Sequence, residues 1–86
     1  AAAIDADADL PDAKLSNREQ EILSLYASGE TAASVALHTG LARETVADYV
    51  SRIRRKYAEV GRPAYSRVDL YKRAIEDGLL AEDRDV

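Results

Sequence analysis

The chain has 86 residues, a formal net charge of −4 and 47% hydrophobic residues, which is enough for one small core and too apolar for a disordered segment. Because it contains no Cys, Met, Trp or Phe, disulfides and thiolate metal sites are excluded, and the core must consist of Leu, Ile, Val, Ala and Tyr. No apolar run approaches the roughly 20 residues that span a bilayer, so we expect no membrane contact and a cytoplasmic location.

Acidic residues are concentrated at the two ends of the sequence. Residues 1–14 are predicted to be a flexible acidic linker or N-terminal remnant, although an ordinary frayed terminus explains them equally well, and residues 81–86 are predicted to be an acidic C-terminal tail. A linker at this position would make the chain the C-terminal module of a longer protein. Between the ends, residues 43–73 contain nine basic and four acidic side chains. This basic region keeps nucleic acid as a candidate partner despite the negative total charge.

The domain is expected to span residues 15–80 and to begin with a helix. Ser16 and Glu19 have the spacing of a capping box, in which each side chain satisfies a free backbone N–H at the start of a helix. The apolar residues that follow cover about half of the helical circumference: Ile22, Leu23, Leu25 and Tyr26. Gly29 marks the end of this first helix.

A second, shorter helix and a glycine turn are predicted next. Thr31 is placed to cap the second helix, and Val35 and Ala36 face inward. The turn is Thr39–Leu41, in which Gly40 is expected to adopt a positive φ.

The third helix is predicted from about Arg43 to Tyr57 and is longer and more basic than the second. Its buried stripe covers about 100° of the helix: Val46, Tyr49, Val50, Ile53 and Tyr57. Two helices joined in this way describe a helix-turn-helix, because the small Ala36 allows a close approach and a Cβ at Gly40 would strain the turn.

A fourth helix follows a loop that contains Gly61 and Pro63. Ser66 and Asp69 repeat the capping pattern, and Gly78 ends the helix. The core stripe of this helix is predicted to be Val68, Tyr71, Ile75 and Leu79. No segment shows strand alternation, so the sequence predicts an all-α, four-helix bundle that contains a helix-turn-helix.

The segment Leu15–Leu80 resembles the LuxR-type (NarL/FixJ-type, GerE-like) DNA-binding domain. The matching residues lie in register across all four predicted helices: Leu15, Ser16, Arg18, Glu19, Glu21, Leu23, Gly29, Val35, Ala36, Gly40, Leu41, Thr45, Val46, Ile53, Lys56, Ser66, Arg67, Val68, Gly78 and Leu79. The resemblance implies a winged-helix-like bundle that binds double-stranded DNA as the output domain of a bacterial two-component response regulator. It also implies that the third helix enters the major groove, that the fourth makes a dimer contact, and that a phosphorylatable receiver domain precedes the bundle.

Several features depart from the family pattern. Thr39 stands where the family usually has Leu, and Ala42 stands where it has a capping Ser. Ala47 and Asp48 occupy two positions that often hold base-contacting residues, including a Lys. The loop Ala58–Tyr65 is longer than usual. The fold prediction is unaffected, but no operator sequence can be carried over from the family.

The DNA-contacting residues are predicted on the outward face and flanks of the third helix: Arg43, Glu44, Thr45, Ala47, Asp48, Ser51, Arg52, Arg55 and Lys56. In this motif the first turns of the recognition helix lie deepest in the groove. We therefore expect Glu44 and Asp48 to accept hydrogen bonds from base amino groups such as cytosine N4, and the arginines to contact phosphates. Alternatively, Asp48 pairs with Arg52 on a solvated face, and Glu44 only interacts favourably with the helix dipole.

Residues on one side of the fourth helix are predicted to form the dimer contact that the family implies: Leu70, Arg73, Ala74 and Asp77. A wide core stripe would also explain an apolar pair among charged residues. Because such a contact would be small, the domain is predicted to be largely monomeric in solution and to pair as a homodimer on two half-sites.

Three other functional classes compete with this interpretation. The chain has a single His, His38, which we expect at the surface, and it has no glycine-rich phosphate loop and no cluster with metal-ligand spacing. An enzyme, a cofactor and a metal site are therefore not predicted. A sigma-factor promoter-reading module shares the helix-turn-helix but does not require the capped fourth helix. A helical protein-interaction domain that has lost DNA affinity stays open, because acids lie on the outward face of the third helix.

Overall fold

The computed structural model describes residues 10–80, which contain four α-helices and no strand. The helices are α1 (Asn17–Ala27), α2 (Ala32–Thr39), α3 (Arg43–Glu59) and α4 (Arg67–Glu76). The predicted all-α fold is confirmed, and α3 extends two residues beyond its predicted end. The acidic ends that were predicted as linker and tail lie outside the described residues, except for residues 10–14 of the linker.

Local capping explains where three of the helices begin. The Ser16 hydroxyl accepts a hydrogen bond from Glu19 N at 3.1 Å, and the Glu19 carboxylate accepts one from Ser16 N at 2.8 Å. Ser66 and Asp69 form the same reciprocal pair at α4, and the Thr31 side chain accepts from Ser34 N at α2. These bonds satisfy N–H groups that have no partner within their helices, and they confirm the predicted starts.

Helix α1 lies at the centre of the bundle. It packs against α2, α3 and α4, whereas α3 has only sparse backbone contact with α4. The side chains that are almost completely buried come from all four helices: Ile22, Leu23, Val35, Val46, Ile53, Tyr57 and Leu70. The core therefore places α3 on one side of α1 and α4 on another. None of the helices in residues 10–80 has the length and apolar character needed to cross a bilayer.

The predicted orientation of α4 is wrong for Val68, Leu70 and Ala74, whereas the predicted core residues Tyr71 and Leu79 pack, partly buried, against the core. Leu70 and Ala74 are 1% and 0% exposed and face the core, whereas Val68, which was assigned to the core, is 62% exposed. Tyr71 and Ile75 are half-buried. The physical reason is packing: Leu70 and Ala74 are four residues apart on one helical face, and the small Ala74 side chain leaves room for α4 to lie close to α1. Helix α4 has two apolar stripes, and its packing against α1 buries the one that contains Leu70 and Ala74.

The packed part of the chain begins before the predicted boundary at residue 15. Ala13 is buried in the core cluster, and the Pro11 carbonyl accepts a hydrogen bond from Arg62 Nη1 at 2.7 Å. Lys14 has a φ of 59°, and its N–H donates to Asp12 Oδ1 at 2.7 Å. This tight turn brings the segment that precedes α1 back against the bundle.

Candidate nucleic-acid interface

The turn between α2 and α3 has helix-turn-helix geometry. Gly40 has a φ of 75°, and its N–H and that of Leu41 both donate to the Ala36 carbonyl, at 2.8 and 3.2 Å. This pair of bonds ends α2 and turns the chain sharply, which only glycine does without strain. Thr39 is accommodated in place of the family's Leu because its hydroxyl donates to the Val35 carbonyl at 2.8 Å.

Packing behind the turn fixes the direction of α3. Val35 and Ala36 of α2 are buried together with Val46 and Val50 of α3, so the opposite face of α3 is turned to solvent. The residues on this exposed face are Arg43, Glu44, Ala47, Asp48, Ser51, Arg52 and Arg55. Thr45 is half-buried at its edge. All but one of the predicted contact residues are therefore brought together on one continuous surface.

The charged side chains at the centre of this surface form no ion pairs with the described part of the chain. Among residues 10–80, Arg43, Arg52 and Arg55 form no ion pair, and Asp48 does not pair with Arg52. The Arg52 guanidinium instead lies over the Tyr49 ring, 5.0 Å from its centroid, a cation–π arrangement that keeps it close to the helix. The predicted alternative, an Asp48–Arg52 pair, is not formed.

Lys56 differs from the other predicted contact residues. Its Nζ lies 2.7 Å from Glu19 Oε1 of α1, and the Glu19 side chain is buried. Burial by itself would raise the pKa of the Glu19 carboxyl, but the hydrogen bonds from Lys56 and from Ser16 N outweigh it and hold the pKa below its ordinary value. A buried carboxylate needs a cation, and Lys56 supplies it; contact of Lys56 with DNA stays a prediction, because its side chain is still 32% exposed.

Most of the remaining basic residues are neutralised or bonded inside the domain. Arg62 and Arg73 pair with carboxylates of Glu76 and Asp77. The Arg67 guanidinium lies 3.9 Å from the centroid of the Tyr26 ring and donates to the carbonyls of Tyr26 and Glu30. Apart from Lys72 on α4, the positive charge of the basic region that has no ion pair within residues 10–80 is thus concentrated on α3.

Helix α2 contributes to the surface beside the first turn of α3, which the sequence did not indicate. Ala32 lines an open groove of about 550 Å³ together with Arg43, Glu44 and Ala47. Farther along α2, the exposed Leu37 lies next to the turn. The signal that could have shown this is the Thr31 cap, which fixes the N-terminal end of α2 next to the start of α3.

The sequence is similar to a known family of regulators. The family model described as bacterial regulatory proteins, luxR family, matches residues 13–74. The chain belongs to the LuxR family. No curated protein and no solved structure shows significant similarity to it. As a LuxR-family helix-turn-helix domain, it is a DNA-binding module of transcription regulation, and domains of this family are not enzymes.

Two of the four predicted dimer residues of the LuxR-family domain are not available at its surface. Leu70 and Ala74 are in the core. The Arg73 guanidinium donates to both carboxylate oxygens of Glu76 and, at 3.3 Å, to the Pro63 carbonyl. The Asp77 carboxylate accepts from Tyr57 and Arg62. Leu70 and Ala74 are therefore corrected to core residues, whereas Arg73 and Asp77 bond within the monomer and their role in a dimer stays a prediction.

Four side chains form a cluster that we call the polar joint: Tyr57, Arg62, Glu76 and Asp77. Tyr57 Oη donates to Asp77 Oδ2 at 2.7 Å, and Arg62 Nη2 donates to Asp77 Oδ1 and Glu76 Oε1, both at 2.8 Å. Burial, followed by the bond to Asp77, raises the pKa of the Tyr57 hydroxyl. Burial opposes the charge of Arg62, yet the two carboxylates raise its pKa. The polar joint connects the end of α3 to the end of α4.

No group of three or more His, Cys, Asp and Glu side chains in residues 10–80 is arranged to hold a metal ion. His38 is exposed, as predicted, and its Nδ1 lies 3.0 Å from Glu30 Oε1.

Proposed function

We propose that this LuxR-family domain binds double-stranded DNA in a sequence-specific manner, with α3 in the major groove. The observation that carries the proposal is the distribution of charge: Arg43, Arg52 and Arg55 are exposed on α3 with no ion pair to the described part of the chain, while Lys56, Arg62, Arg67 and Arg73 are bonded inside the domain. The exposed arginines of α3 attract DNA phosphates, and the major groove of B-DNA is wide enough to admit an α-helix.

The two ends of the exposed face have different chemistry. Glu44 and Asp48 lie in the first turns, where base edges are read, and Arg52 and Arg55 lie in later turns. In the major groove a carboxylate can accept only from amino groups, which cytosine and adenine provide, and it is repelled by guanine O6 and N7. Half-sites are therefore proposed to place cytosine or adenine opposite Asp48, whose carboxylate has no ion-pair partner within residues 10–80.

The proposal is tested by binding to a random duplex pool and by the salt dependence of affinity. Arg55→Ala should weaken binding to all sequences alike and reduce the salt slope by about 1, whereas Asp48→Ala should cost about 1–3 kcal/mol on the preferred base and relax the preference at that position. Lys72→Ala is the matched control, because Lys72 is an exposed basic residue on α4. Uniform weakening by both α3 variants would contradict the division of roles.

A second candidate is a protein-interaction domain without DNA affinity, which the exposed Glu44 and Asp48 favour. Sheared genomic DNA at low salt separates the two functions. A DNA-binding domain must show non-specific affinity that falls steeply with salt, and an interaction domain shows none.

The proposal includes pairing of two copies through α4, on a corrected surface. Val68 is exposed, and it lines a groove of about 220 Å³ with Tyr71 of α4 and with Ala27 and Gly29 at the end of α1. Val68→Glu should abolish pairing on two half-sites and leave the monomer folded, whereas Leu70→Glu would unfold it, because Leu70 is in the core. The mass of the protein is measured with and without duplex. A dimer that Val68→Glu does not affect would exclude this surface as the dimer contact.

The context of a cytoplasmic response regulator belongs to the same proposal and rests on the family resemblance. It is tested by reading the coding sequence upstream of residue 1. A receiver domain with a phosphoacceptor Asp is expected there, and a domain of another class would contradict the two-component assignment.

A further inference from the structure

The attachment of α4 to the rest of the domain is unusual because it is apolar in the middle and polar at both ends. The middle packs through Leu70 and Ala74 against α1. At the N-terminal end, Arg67 binds the carbonyls of Tyr26 and Glu30 in the connection from α1 to α2. At the C-terminal end, the polar joint provides the main link to α3, because backbone contact between α3 and α4 is sparse.

The hydrogen bonds of the polar joint are directional, so they restrict the orientation of α4 relative to α3. Tyr57 is 0% and Arg62 is 6% exposed, so both donors are withdrawn from water, and their bonds to the partly exposed Asp77 carboxylate are charge-assisted. Arg62 also lies over the Tyr57 ring, 5.2 Å from its centroid. Its Nη1 binds the Pro11 carbonyl at 2.7 Å, so the segment that precedes α1 is attached to the same guanidinium. Four parts of the chain thus meet at one buried charge.

We propose that Tyr57, Arg62 and Asp77 are positioning residues that fix the angle between α4 and the recognition helix α3, and that this angle sets the spacing of the two half-sites. The inference rests on the proposed function, DNA binding by α3 and pairing through α4. In a pair related by a two-fold axis, any rotation of α3 relative to α4 is doubled between the two recognition helices. Half-sites must be separated by about one helical turn of DNA, roughly 34–36 Å, or a multiple of it. A small change at the polar joint therefore acts on spacing, while each α3 keeps its own base contacts.

The critical variant is Tyr57→Phe, which removes one hydroxyl and keeps the buried ring. It should fold, because Asp77 retains its bond to Arg62 and Leu70 still packs against α1. Because Arg67 keeps the N-terminal end of α4 attached, any change of angle in the variant is expected at the C-terminal end of α4. The experiment selects bound duplexes from a random pool with the wild-type chain and with Tyr57→Phe, and compares both the half-site sequence and the distance between half-sites.

The expected result is a change of spacing without a change of sequence. The wild-type chain should enrich paired half-sites at one separation, and Tyr57→Phe should enrich the same half-site over several separations. Its affinity for the wild-type separation should fall several-fold, with single half-site affinity unchanged. Arg62→Lys keeps the charge but cannot make the three-way set of bonds, so it should broaden the spacing in the same way.

The control is Ile22→Val, which lowers stability through a buried residue of α1 outside the polar joint. It should enrich half-sites at the same single separation as the wild type. This result would show that a loss of stability alone does not broaden the spacing. A single unchanged spacing in Tyr57→Phe would overturn the inference alone. Enrichment of isolated half-sites by the wild type would overturn both this inference and pairing through α4. No enrichment at all would contradict the proposed DNA function itself.

Discussion

Glu19 is a buried carboxylate that serves two neighbours at once. It accepts from Ser16 N as part of the capping box and pairs with Lys56 at 2.7 Å. Glu19→Ala should lower the free energy of unfolding by about 2–4 kcal/mol, because it removes a cap and leaves a partly buried ammonium without its partner. Urea denaturation measures the loss. Glu21→Ala is the matched control: Glu21 pairs with Arg18 at the surface, so the change should cost less than about 1 kcal/mol.

Leu70 and Val68 give opposite expectations although they are two residues apart on α4. Leu70 is 1% exposed, so Leu70→Ala should leave a cavity that the neighbouring side chains fill only in part. The free energy of unfolding should fall by about 2–5 kcal/mol. Val68→Ala should change stability by about 0.5 kcal/mol or less, as expected for a surface position. Thermal unfolding of both variants provides the comparison. A larger loss for Val68→Ala would mean that α4 is turned the other way.

Single residues were predicted well where their partners are local. The role of Gly40 and the bonds of Ser16 with Glu19 follow from neighbours within four positions. The Lys56–Glu19 pair spans 37 positions, and nothing in the local pattern of α3 distinguishes Lys56 from the free arginines beside it. The role of Lys56 as the partner of Glu19 was therefore not predicted, because only the packing of α1 on α3 reveals it.

At the scale of elements, α3 is exceptional in how it begins. Ala42 has the extended backbone of an N-cap, with φ −73° and ψ 153°, but no side-chain bond to the helix. Ala42→Ser should raise the free energy of unfolding by about 1 kcal/mol, since the hydroxyl can accept from an unpaired N–H. Ala58→Ser, in the last turn of α3 and exposed, is the control: it places the same hydroxyl far from the N-terminus and should not raise stability. Equal effects of the two changes would exclude a capping mechanism.

The four helices were predictable because their caps and glycine stops are encoded locally, but the inward face of α4 was not. Two apolar stripes compete on that helix, and the choice depends on how closely α1 approaches. Ala74 allows that approach, and Leu70 fills the space beside it. The prediction of Leu70 and Ala74 as dimer residues is wrong for the same reason, because both lie on the stripe that is buried.

At the scale of the whole molecule, stability should depend on pH at both extremes. Burial alone would raise the pKa values of Glu19 and Glu76. The cations that they bind outweigh burial and hold both pKa values below the ordinary 4.5. Below that value the unfolded chain takes up protons more readily than the folded one, so stability decreases as pH falls through the lowered pKa values. The raised pKa of Tyr57 acts in the opposite direction: above the ordinary value of 10.0 the unfolded chain loses its proton first, and stability falls as pH rises.

Denaturation midpoints across the pH range test both limbs. Glu19→Gln should flatten the acid limb, and Tyr57→Phe should flatten the alkaline limb, each without affecting the other. A pH dependence that is identical in all three proteins would show that these groups do not control it.

Helices α1 and α4 are the first and the last of the bundle, yet they pack on each other and are joined by a bond from Ser24 Oγ to the Leu79 carbonyl at 3.3 Å. During synthesis on the ribosome, α3 therefore emerges before the helix that completes its scaffold has been made. Leu70 and Ala74 supply a side of the core that no earlier segment can replace. Folding must wait for the final turn of α4 to leave the exit tunnel, and a nascent chain halted at the loop after α3 would carry its arginines on an unfinished domain.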